Sequence, residues 1–163
     1  MILIFKGIAI LFFIVSGWVC IKYFAYKIAK NEAFNEFDTI KKQIDNQYDF
    51  ILYLISKYES SMVNEQKQIT EIKDLITKAK NFSLEKDGAD IIIAFANAVF
   101  QKTEGIVTNY TDILEEYRSS HTKFNNYAEK YNNAAKKLRY YIDVFPTSFI
   151  CRLSKVKTLN YIY

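Results

Sequence analysis

From Met1 to Ile21 only Lys6 and Ser16 interrupt an apolar run, and this segment constrains the chain more than anything after it. An α-helix over Ile2 to Ile21 would be ~30 Å long, the hydrocarbon thickness of a bilayer. A cleavable secretory signal places positive charge first, a shorter apolar stretch next and a small-x-small site last. Here Ile2, Leu3, Ile4 and Phe5 precede Lys6, and neither Gly17-Trp18-Val19-Cys20 nor Ala25-Tyr26 closes the run with such a pair. Trp18 and Val19 stand where a lipidated cysteine needs small residues before it, so Cys20 reads as a small hydrophobe. Trp18, Tyr23 and Tyr26 fall where an interfacial aromatic belt belongs, and Lys22 and Lys27 can snorkel to head groups. Residues 1–26 are therefore expected to form an uncleaved, single-pass anchor in the lipid bilayer. Lys22, Lys27 and Lys30 follow the span while Lys6 alone precedes it, which by the positive-inside rule puts the rest of the chain in the cytoplasm.

Four Gly and one Pro in 163 residues leave few places for a helix to stop. Two apolar ladders then step by alternating 3 and 4 residues. The first runs from Ile44 to Ala79 with one polar rung, Glu65; the second runs from Tyr110 to Phe145 with one polar rung, Ser120. A sustained 3.5-residue period marks a coiled-coil or bundle seam. Each ladder would be ~53 Å of helix, and a short connection makes the pair antiparallel. Between them Asp90–Phe100 carries Ile92, Phe95, Ala96 and Val99 at helical spacing and reads as a third core helix. Asn81, Ser83, Asp87 and Gly88 supply turn chemistry before it, and Thr103 to Gly105 after it. Phe34, Phe37 and Ile40 carry the first seam toward the anchor, and Pro146 ends the last helix.

The expected fold is all-α: an N-terminal transmembrane helix, then an antiparallel three- to four-helix bundle over 27–146 with two long coiled-coil-like helices, then a basic and apolar tail over 147–163. Paired end to end, the ladders would set Ile44 against Phe145 and Glu65 against Phe124, with Ser120 one layer away. Glu65, Ser120 and His121 would then form a polar core layer that fixes register, since a buried carboxylate needs a partner. The tail, with Arg152, Lys155 and Lys157 among Phe149, Ile150, Val156 and Ile162, would cross ~30 Å along Phe34 and Phe37 to bring positive charge to anionic head groups.

Residues for chemistry are sparse. The single histidine, His121, has Arg118 three residues before it, so the Glu-x-x-His pairs of a di-iron bundle are missing, and a zinc site lacks ligands. Cys20 and Cys151 lie in the anchor and near the C-terminus, which disfavours a disulfide; helical spacing does not bring Cys151 to His121 for nucleophilic catalysis. No glycine-rich phosphate cradle occurs. A net charge of +4, spread over interleaved Lys, Asp and Glu, describes a solvated helical surface and not a nucleic-acid footprint.

Several stretches resemble the LemA family. Tyr48-Asp49-Phe50-Ile51-Leu52-Tyr53-Leu54-Ile55 is similar to its Y-D-L-I-P-N-L-V stretch, preceded by Phe37, Ile40, Gln43 and Ile44 where the family has W-x-x-I-x-x-Q-L. Asn64-Glu65 stands where it has His-Glu, and Asn109-Tyr110 resembles its N-F. Tyr131-Asn132, Ile142 and Phe145-Pro146 keep the spacing Y-N-x9-I-x2-F-P, and Leu153, Lys157 and Tyr161 continue in register with its tail. Departures are Leu52 for the family's Pro, Tyr53 for its Asn, Asn46-Gln47 for its Arg pair and Ser120–Phe124 for its T-E-N-R-I block. The resemblance, over about residues 23 to 162, implies a bacterial inner-membrane protein with one N-terminal span, an antiparallel helical domain and no established activity.

The expected function is that of a membrane-anchored interaction or scaffold protein of the bacterial cell envelope, without catalysis or cofactor, working with protein partners at the membrane; a homo-oligomer is compatible with such seams. The alternative is a membrane-tethered sensor or assembly module that oligomerises or shifts register at the layer around Glu65 and Ser120.

Overall fold

The computed structural model describes residues 2–153 and 159–162, and every element in it is helical. Helix α1 spans Ile2–Tyr58 in one piece, α2 spans Gln66–Lys80, α3 Leu84–Val107, α4 Thr111–Asp143 and α5 Thr147–Leu153. A single turn of 3₁₀-helix, Val63–Glu65, leads into α2. The apolar segment and the first bundle helix are thus continuous: no Gly or Pro interrupts α1 after Gly17.

The Ile44–Ala79 ladder is not one rod. It folds into a hairpin at Tyr58, where Ser61 and Met62 donate to the Tyr58 carbonyl and Met62 is buried in the corner. Glu59, Ser60 and Ser61 offer the helix no apolar anchor for a full turn, and serine favours turns over helix interiors. The 3.5-residue period survives the bend because both arms face the same core: Ile51 and Leu54 on α1, Ile69, Ile72 and Ile76 on α2. Lys73 meets Glu59 and Lys80 meets Asp49, so α2 returns alongside α1.

The middle helix extends past the expected Thr103–Gly105 turn, because the buried Thr103 hydroxyl donates to the Val99 carbonyl one turn back. The chain turns instead at Thr108–Tyr110. Near its start α3 is kinked at Gly88, whose φ of 79° is a left-handed conformation open to glycine at little cost.

Helix α4 packs chiefly on α1, and its partners fall in number as those of α1 rise: Glu32 with Lys137, Phe37 with Tyr131, Gln47 with Ser120, Lys57 with Glu116. The register differs from the end-to-end pairing of the ladders. Phe145 lies against Trp18, ring centroids 6.0 Å apart, and not against Ile44. That is a displacement of twenty-six residues, ~39 Å along α1. Its cause is the hairpin: with α2 folded back, α4 finds its long partner in the N-terminal half of α1, where Tyr26, Ala29, Ala33, Phe37 and Ile40 continue the buried stripe. Small residues at 29 and 33 let the two helices approach closely. The last third of the expected anchor, from Trp18 to Tyr26, therefore packs partly against protein.

At the far end of α4, Val144 is extended and the Phe145–Pro146 peptide is cis. The Thr147 hydroxyl donates to the carbonyls of Tyr141 and Val144, giving the open end of α4 a partner. Helix α5 then heads away from the corner, burying Cys151 against Tyr26.

Candidate functional site

Two places gather polar and aromatic residues: a cluster midway along the α1–α4 seam, and the end of the body nearest the apolar segment.

The mid-seam cluster begins with Gln47, buried on α1, whose Oε1 accepts a hydrogen bond of 3.0 Å from Ser120 on α4. The next residue of α4, His121, lies in an aromatic enclosure. Its ring stacks on Tyr117 at 5.2 Å and on Phe124 at 5.4 Å, and meets the edge of Phe100 from α3 at 5.5 Å. Tyr48 closes the group by contact with Phe100. Gln47 Nε2, the Tyr48 hydroxyl and His121 Nδ1 are buried without a protein hydrogen-bond partner. Burial raises the phenols of Tyr48 and Tyr117 above the ordinary range and lowers His121, the last opposed by the negative charge of Glu104.

Glu65 does not belong to this cluster. It lies half-exposed in the 3₁₀ turn between α1 and α2, because the hairpin moves it off the seam that the ladder implied. The expected layer of Glu65, Ser120 and His121 is replaced by Gln47, Ser120 and His121. Gln47 was hidden in the sequence because it adjoins, and does not occupy, the ladder rung at Tyr48. Its signal was there: 44, 47, 51 and 54 also share one helix face.

The imidazole is a packing element held neutral, and this has a measurable consequence. Its folded-state proton affinity is depressed, so its contribution to stability is full above the ordinary pKa of 6.5 and is lost as the pH falls below it. Between about pH 7.5 and about 5.5 the urea midpoint of the full chain is expected to fall, and His121→Phe should flatten that dependence. An unchanged slope in the variant would show that another group carries it.

Cys151, the other candidate nucleophile, is buried beside Tyr26, while His121 sits at the level of Gln47. The two are separated by about twenty residues of α1, or ~30 Å. Among the described residues no three His, Cys, Asp or Glu side chains gather to hold a metal. A surface depression of about 450 Å³ between α2 and α3 is lined by Lys67, Gln68, Glu71, Lys102 and Gly105. Its ion pair, Lys102 with Glu71 at 2.7 Å, holds that carboxylate below its usual range.

Two of the motif residues, Tyr131 and Asn132, have a shared task. Asn132 grips the backbone of Ile162 from both sides: Nδ2 donates to its carbonyl at 2.8 Å and Oδ1 accepts from its N–H at 2.9 Å. The Tyr131 hydroxyl donates to the Asn160 carbonyl, Asn97 donates to the Tyr161 carbonyl, and Asp90 accepts from the Asn160 N–H. A non-helical segment, 159–162, is thereby strapped across α3 and α4, with Leu159 and Ile162 buried. Tyr48 and Asp49 act elsewhere, the first in the core and the second in the ion pair with Lys80. Asp90 and Asn97 carried no motif, and only the strap reveals them.

Near the apolar segment, Trp18 and Tyr23 are part-exposed, Lys22 is half-buried and Tyr26 is buried. Tyr23 contacts both Phe24 and Tyr26. The tail does not cross a gap to reach this level, since α4 itself reaches it and the chain then turns back. Arg152 is exposed here; Lys155, Val156 and Lys157 lie outside the described residues. Helix α1 is long and apolar enough to cross a membrane, with its most apolar window wholly uncovered by protein. Against family models, curated proteins and solved structures, the chain finds no match.

Proposed function

We propose that this protein is a membrane-anchored helical interaction protein, a scaffold of the bacterial cell envelope similar to the LemA family, that acts by holding a partner surface at the bilayer and not by catalysis. One observation carries the reading: a single helix, α1, begins as the apolar segment and continues unbroken as the central helix of the bundle. A body joined through fifty-seven residues of continuous helix cannot swing freely, so its orientation to the bilayer is part of its design. The antiparallel seam with α4 stiffens the same stretch. The excess of lysines after the span supports a reading with the body on the cytoplasmic side of the inner membrane.

The test is photocrosslinking in native membranes from Tyr127 and Tyr140, exposed on α4 and clear of the straps and the core. Discrete protein adducts are expected from the full chain and should vanish when residues 2–21 are removed, while the melting profile of the body persists. Identical adducts from the truncated chain in the soluble fraction would overturn the membrane as a component of the function.

A further inference from the structure

The corner where α4 turns into α5 exposes large apolar side chains with no protein to cover them. Phe145 is 67% exposed, Phe149 63% and Leu153 71%, in a chain whose other core-facing residues are nearly all buried. Phe149 and Leu153, four apart, share one face of α5, and Phe145 stands in the turn that leads into it. Scattered apolar exposure is ordinary; a contiguous patch at one end of a body marks a contact.

What covers the patch is indicated by its position. The Phe145 ring lies on Trp18, inside the apolar segment of α1. A hydrocarbon slab filled by Ile2 to Ile21 has its edge about three residues, or ~4.5 Å, beyond Trp18. Past that level α1 still exposes Phe24 and Ile28, with Lys27 exposed between them. Charge points the same way. No acidic residue occurs before Glu32 or after Asp143, whereas Lys22, Lys27, Lys30 and Arg152 are present. Both chain segments that converge here are purely basic, the complement of an anionic head-group layer.

We infer that the α4–α5 corner is a second membrane contact, a foot that seats Phe145, Phe149 and Leu153 in the head-group layer of anionic lipid beside the span. The inference rests on the reading of α1 as a span. It makes α4 a strut tied to the bilayer at the same level as α1, so that the body stands on two points and its tilt is set by lipid.

The chain has one tryptophan, which allows depth to be read directly. In a Trp18→Phe background, tryptophan is placed singly at Phe145, Phe149, Phe13 or Tyr127. Each full-length variant is reconstituted in phosphatidylglycerol–phosphatidylcholine vesicles whose acyl chains carry bromine near the head group, at mid-chain or at the terminus. Tryptophan at 145 and 149 should be quenched ~twofold by shallow bromine and less by deep bromine, as expected for groups seated ~5–10 Å into the interface. Tryptophan at 13 should respond to deep bromine, and at 127 to none. Quenching at 13 without quenching at 145 and 149 overturns the foot and leaves the span standing. No quenching at 13 removes both. Blue-shifted but unquenched emission at 149 identifies a protein covering and overturns lipid as the occupant. Replacing phosphatidylglycerol by phosphatidylcholine should weaken shallow quenching at 149; an unchanged signal refutes the role of charge.

Discussion

Phe37→Ala is expected to destabilise the body by about 3–5 kcal/mol, read as a lowered urea midpoint of the full chain in detergent. Phe37 has no exposed surface and its ring meets the edge of Tyr131, itself fully buried, at 6.1 Å. It lies on the seam where α1 and α4 have no flanking α2. Neighbours there are held by two long helices and the C-terminal strap, so they cannot collapse into the space left behind. Phe37→Leu, which keeps most of the volume, should cost under ~1.5 kcal/mol. Removing the Glu32–Lys137 ion pair one turn away, through Lys137→Ala, should leave the midpoint nearly unchanged, because both groups are solvated. A Phe37→Ala midpoint close to that of Lys137→Ala would mean that the α1–α4 seam is not the main source of stability.

Asn132→Ala is expected to cost about 2–3 kcal/mol and to release the segment 159–162 to proteolysis. The side chain holds the Ile162 N–H and carbonyl at once, and alanine leaves both without a partner. Asn132→Asp retains the acceptor and loses the donor, so it should fall between wild type and alanine. Tyr131→Phe, which removes only the bond to the Asn160 carbonyl, should cost ~1 kcal/mol. If limited proteolysis of the C-terminus is the same in Asn132→Ala and wild type, the strap is held by Leu159 and Ile162 alone.

These two residues also show how much of the molecule can be read from its sequence. Phe37 is recognisable as core from its place in the period that runs down α1. Asn132 is recognisable only as part of a spacing, Tyr131-Asn132 then Phe145-Pro146, with no physical task attached. The task depends on a backbone segment that returns from 28 residues further on, and no local pattern announces such a return. Glu65 is the converse case. It looked like a polar interruption in a core seam because the ladder was continued through a turn that periodicity cannot detect. A bend that keeps both arms on one core preserves the period, and with it the appearance of a single helix.

The sequence by itself determined that the chain is helical, that its first segment is long and apolar enough for a bilayer, and which side chains face inward along most of the seam, Glu65, Gln47 and Phe145 excepted. These follow from local spacing and from the cost of exposing apolar surface, both carried by neighbours in the chain. Tertiary structure decided the pairing. Whether α4 lies against residues 44–79 or against residues 18–58 depends on the summed burial of whole faces, and many registers satisfy the same period. The hairpin at Tyr58 removes α2 from that competition, and α4 slides ~39 Å toward the apolar end. That slide brings Phe145 to Trp18, and with it the far end of α4 to the apolar segment of α1.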